Sequence, residues 1–75
     1  MKNRELIEKF AKGAKYGVGS NLYIVGDDLI NYTTIIASRC DGGVKLNSRH
    51  YSATTSKNQN MIRRLCNVVE EYQGN

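Results

Sequence analysis

The sequence predicts an α+β fold, a two-layer sandwich in which an N-terminal and a C-terminal helix cover one face of an antiparallel meander of about three to five short strands. Two observations carry this expectation. Apolar residues recur at three- and four-residue spacing at both ends of the chain, and β-branched and aromatic residues crowd the middle, broken by Gly-Asp and Asp-Gly pairs. A chain of 75 residues makes one domain, residues 1–75, and leaves no room for a second.

The first element is an amphipathic helix over about residues 3–15. Leu6, Ile7, Phe10, Ala11 and Ala14 share one side, with Lys2, Glu5, Lys9 and Lys12 opposite. Asn3 is an acceptable N-cap, and Gly17, Gly19, Ser20 and Asn21 end the run. Two apolar runs then flank Gly26-Asp27-Asp28, and two more flank Asp41-Gly42-Gly43, each reading as a hairpin. A further reversal is expected at Asn47-Ser48. Strands joined by such short turns run antiparallel. The alternation of Val44 and Leu46 with Lys45 and Asn47 gives one buried face and one wet face. The last helix is expected from about Ser56 to Tyr72, with Met61, Ile62, Leu65, Cys66, Val68, Val69 and Tyr72 as its apolar stripe. Ser56-x-x-Gln59 has capping-box spacing, and Thr54 and Thr55 offer earlier caps.

Composition narrows the chemistry. Eleven Lys and Arg against seven Asp and Glu give a net charge of +4, which favours an anionic partner without requiring one. The two cysteines, Cys40 and Cys66, lie far apart with a single His, so neither a zinc site nor a disulfide framework is expected. No cofactor motif is present: Gly13, Gly17 and Gly19 follow a helix instead of a strand and lack the Lys-Ser/Thr ending of a phosphate loop. No run approaches a membrane span. His50 has no nucleophile or orienting acid placed beside it, so catalysis is not expected.

The candidate binding residues gather at the start of the last helix. Arg49, Tyr51, Thr54, Thr55, Ser56, Lys57, Arg63 and Arg64 supply hydroxyls and positive charge where free backbone N–H groups and the helix dipole favour an anion. The same residues also read as an ordinary cap and a solvated face. Arg39 joins the set from a neighbouring strand, where Arg39 and Lys45 flank the Asp-Gly-Gly turn. Tyr32, Lys12 and Lys15 are secondary candidates. Tyr51 and Tyr32 are placed to stack on bases or to pack across strands.

From Gly26 to Asn60 the chain resembles a family of small uncharacterised accessory proteins encoded by bacteriophages and related mobile elements. The residues that carry the resemblance are Gly26-Asp27, Asn31-Tyr32-Thr33-Thr34, Ile36-Ala37-Ser38-Arg39 and Tyr51-Ser52-Ala53-Thr54-Thr55-Ser56-Lys57. The resemblance implies a protein made in a bacterial cytoplasm and acting on host or phage macromolecules. It brings no catalytic residue with it.

Two functions are therefore expected. The first is a non-enzymatic inhibitor of a host defence protein or ribonucleoprotein complex, such as an anti-CRISPR, acting by protein–protein contact. Its basic charge argues against DNA mimicry, so such an inhibitor would meet an acidic or apolar patch or bind the complex together with its nucleic acid. The second is a small nucleic-acid-binding module of phage replication or regulation, whose binding would weaken steeply with salt. Unpaired edge strands in a short meander favour a homodimer in either case.

Overall fold

The computed structural model describes residues 1–74. In chain order the elements are α1 (Asn3–Ala11), β1 (Tyr16–Val18), β2 (Leu22–Val25), β3 (Asp28–Asn31), β4 (Thr34–Cys40), β5 (Gly43–Asn47), α2 (Ala53–Leu65) and β6 (Val68–Tyr72). The strands form one sheet in the order β1-β2-β3-β4-β5-β6, so every strand pairs with its neighbour in sequence. The first five are antiparallel; β6 returns through α2 to run parallel to β5.

The α+β sandwich is as expected, but the elements differ at their bounds: α1 ends at Ala11 short of residue 15, α2 starts at Ala53 ahead of Ser56 with Ser52 as its cap, and the sheet gains a strand. The sheet has six strands because Val68–Tyr72 leaves the helix and pairs with β5. In VVEEY, Val68, Val69 and Tyr72 satisfy a helical period as well as a strand's β-branched preference, and periodicity alone does not separate the two. Tertiary pairing decides. Cys66 is already extended (φ −117°, ψ 156°), and the Asn67 carbonyl accepts from the Val44 amide at 2.8 Å.

That junction explains two glycines. Gly42 turns the β4–β5 hairpin at φ +87°. A Cβ on Gly43 would stand 2.0 Å from the Asn67 carbonyl oxygen, so the strand that receives β6 tolerates no side chain there.

Both helices lie on one face. α1 packs on β1 and β2, α2 packs on β5, and the helices touch each other. Leu6, Ile7 and Phe10 meet Leu22, Ile24, Leu29, Ile36, Ala37, Val44, Leu46 and Ile62 in a single core. The helices run parallel: Asn3 donates to Asn58 at 3.3 Å at one end, while Phe10 and Ala11 share a crevice with Leu65 and Cys66 at the other.

The buried face of α2 is mostly polar, comprising Thr55, Asn58, Gln59 and Ile62, and its expected apolar stripe lies to one side, with Met61 and Leu65 toward α1. Polar groups are buried here because they bond one another. Asn3 Nδ2 donates to Asn21 Oδ1 (2.8 Å), Asn31 Nδ2 to the Asn21 carbonyl (2.8 Å) and Thr55 Oγ1 to Asn31 Oδ1 (2.6 Å). Gln59 Nε2 donates to the carbonyls of Asn47 (2.6 Å) and Arg49 (2.9 Å), fixing the entry to α2.

Two predictions follow from burial and backbone geometry. Gly42→Ala should cost about 1–2 kcal/mol through its left-handed φ, and Gly43→Ala clearly more, because a backbone carbonyl must move; urea denaturation of the two variants orders them. Asn31→Ala should cost about 1–3 kcal/mol by leaving Thr55 without its acceptor in a dry site, read as a lower urea midpoint at unchanged slope.

Candidate functional site

The expected anion seat does not assemble as one cluster. Ser52 caps α2, its hydroxyl accepting from the Thr55 amide at 3.2 Å. Thr55 is buried in the amide network, Ser56 bonds His50 Nδ1 at 3.2 Å, and Thr54 and Lys57 are exposed. Arg49 donates to the Gly74 carbonyl at 3.0 Å, and the Tyr51 hydroxyl accepts from Asn47 Nδ2 at 2.8 Å. Arg63 pairs with Glu71 at 3.1 Å, tying α2 to β6. Arg64 faces outward near the far end of the helix, beside Met61. Lys12 is exposed at the end of α1, and Lys15 pairs with Asp27.

Arg39 points inward. Its guanidinium lies 4.4 Å from the centroid of the Phe10 ring and donates to the carbonyls of Phe10 (2.6 Å), Ala14 (2.6 Å) and Gly26. Its Nε is 3.4 Å from Asp27 Oδ1, and its side chain is only 16% exposed. A cation placed on the last carbonyls of α1 satisfies acceptors the helix leaves open and complements the negative end of its dipole. Arg39 is thus committed to the fold and not offered to a partner.

The sheet face opposite the helices is bare. Strand register lines up Val18, Tyr23, Ile30 and Ile35 across β1 to β4 in one row. A second row runs Tyr16, Val25, Asp28, Ser38, Lys45, Glu70 from β1 to β6. Tyr16 is 76% exposed, Val25 55%, Val18 54% and Ile35 42%, a concentration of apolar surface beyond scattered single residues. Beyond Ile35 the face deepens into a groove of about 500 Å³ that also involves Asn47, Tyr51, Tyr72 and Gln73. Burial raises the Tyr72 phenol above its ordinary value, with smaller contributions from Tyr51 and Asp28, so it stays a neutral hydroxyl there.

Tyr32 stands in the β3–β4 turn, 58% exposed and at φ +57°. A bulky residue in the left-handed region is strained by about 1–2 kcal/mol. Its carbonyl accepts from the Tyr23 hydroxyl at 3.1 Å, so the turn is tied to the open face.

Of this surface the sequence singled out Tyr51 and Tyr32 but not the apolar rows between β1 and β4. A signal for it exists in Leu22-Tyr23-Ile24-Val25, an unbroken apolar strand that must show large side chains on both faces. Among the described residues, no group of three or more His, Cys, Asp or Glu converges as a metal site would need. Burial pushes the Cys66 thiol up, against a smaller opposing pull from Arg39. Among the described residues, no helix is long and apolar enough to cross a membrane. Compared with protein-family models, curated proteins and solved structures, the chain matches none.

The Lys15–Asp27–Arg39 cluster makes a pH prediction. The Lys15 hydrogen bond and charge, then Arg39, hold the Asp27 carboxyl below its ordinary value of 3.8. A carboxyl lowered in the folded state adds stability that is complete above its unfolded pKa and is lost as pH falls through the folded one. Asp27→Asn should therefore flatten the acid limb of a plot of urea midpoint against pH below about 4, leaving the neutral limb parallel to wild type.

Proposed function

We propose that this is a non-enzymatic binding protein that acts by protein–protein contact, in the setting of a phage-encoded inhibitor of a host defence complex in the bacterial cytoplasm. The observation that carries this reading is the row Val18, Tyr23, Ile30, Ile35 on a sheet face that no helix covers. Val18 and Ile35 at the ends of the row are exposed and Tyr23 and Ile30 between them are half-buried, and such side chains lose unfavourable water contact when a partner covers them. The molecule measures 27 × 24 × 20 Å, so its broad face is close to the roughly 800 Å² per partner of a stable interface.

Charge supports a protein over a nucleic acid at this face. Its charged residues are Asp28, Lys45 and Glu70, a single cation against two acids and so a poor match for a phosphate backbone. Edge pairing into a homodimer is discouraged by the short β1 and by Glu70 and Glu71 on β6. A different protein on the face is the better reading. The nucleic-acid module stays as the second reading because the outer side of the helices carries Lys2, Arg4, Lys9, Lys12, Lys57 and Arg64.

Immobilised wild-type protein should retain a defined partner from host lysate, identified by mass spectrometry, and Val25→Asp with Ile35→Asp should lose it. Both sites are exposed, so the amide NMR spectrum should stay folded. Equal retention by the double variant would overturn the sheet-face reading. Titration of labelled DNA and RNA at two ionic strengths tests the module directly, and tight binding at low salt would favour it.

A further inference from the structure

The opposite side of the molecule carries a second feature. Because α1 and α2 run parallel in contact, Arg4 of α1 comes beside Met61, Arg64 and Leu65 of α2, and these four side chains line a notch of about 100 Å³. Met61 and Leu65 are partly buried against the core, whereas Arg4 and Arg64 are exposed. Lys57 belongs to the same outer stripe of α2 as Arg64, seven residues and so about 10 Å nearer the helix start. Among the described residues, neither Lys57 nor Arg64 has an ion-pair partner, and Arg4 has only the exposed Glu8 at 3.7 Å.

An apolar floor between two guanidinium groups selects its ligand. A bare anion would meet the cations and gain nothing from Met61 and Leu65. A purely apolar surface would cover the floor and strip water from two exposed guanidinium groups, at a cost. A short carboxylate-rich segment with one apolar side chain meets both the cations and the apolar floor. The side chain enters the notch, where a flexible thioether adapts to its shape, and flanking carboxylates take charge-assisted bonds from Arg4, Arg64 and Lys57.

We infer that the α1–α2 seam is a docking site for an acidic protein segment that places one aliphatic side chain between Arg4 and Arg64. This goes beyond the sheet-face reading, since the seam lies in the helical layer on the other side of the sheet. A partner reaching both surfaces would be gripped at two separate places.

The chain has two methionines, Met1 and Met61, so methyl NMR reports the notch with little ambiguity. The probe is a short peptide of glutamates around one central leucine, compared with the same peptide carrying serine there and with a DNA duplex. The leucine peptide should shift the Met61 methyl signal saturably. The serine peptide, and the Arg4→Glu/Arg64→Glu protein, should each bind about tenfold more weakly, and Lys57→Glu less severely. Ile35→Asp should leave the titration unchanged, which separates this site from the sheet face. An unmoved Met61 signal, equal shifts from the serine peptide or DNA, or unimpaired binding by both charge-reversal proteins would overturn the inference. Amide spectra of the variants establish that they remain folded.

Discussion

The guanidinium of Arg39 is the contact on which the arrangement of layers depends. It reaches from β4 to the end of α1, stacks on Phe10, and closes over carbonyls from Phe10, Ala14 and the β2–β3 turn. Helix ends carry unpaired carbonyls, and a helix laid on a sheet must satisfy them without admitting water to the core. One planar, fivefold donor does this at several places together. Asp27 balances part of its charge at the surface, where the carboxylate keeps its solvent. At the other end of α1, side-chain bonds among the Asn3, Asn21 and Asn58 amides tie the helix start to the β1–β2 turn and to α2, without capping its backbone. The first helix is thereby pinned at both ends, and its apolar residues need only fill the space between.

The layer architecture was legible in the sequence because it rests on patterns that survive tertiary context. Leu6, Ile7 and Phe10 keep a helical period, and Gly26 and Gly42 sit at positive φ inside turns that their Asp neighbours mark. What was not legible depends on pairing across distance. Val68 and Val69 read as helix until β5 supplies backbone partners. Thr55 read as a cap, and nothing marked Asn31 or Asn58 as buried, until Thr55 meets Asn31 and Asn58 meets Asn21 across the fold. Arg39 read as a free cation for the same reason, since nothing in sequence places Phe10 beneath it.

The binding surfaces were half legible. A basic chain with Arg64 and Lys57 on one helix was evident from sequence, but the hydroxyls of Thr54, Thr55 and Ser56 do not converge as their adjacency suggests. Ser52 alone caps the helix, and Thr55 turns inward to Asn31. The structure divides the remaining chemistry by face: cations on the helical layer, aliphatic and aromatic side chains on the bare sheet. A domain of 8.4 kDa thus carries two chemically distinct faces.

The parallel packing of α1 on α2 also governs how the chain assembles. Asn3 and Asn58 are 55 residues apart in sequence, so the first helix has no helical neighbour until nearly the whole polypeptide exists. Loop closure over that span precedes any reward from the contact, which raises contact order and slows the search. A nascent chain would hold Leu6, Ile7 and Phe10 against an unfinished meander, a state open to chaperones and to aggregation until the late helix docks.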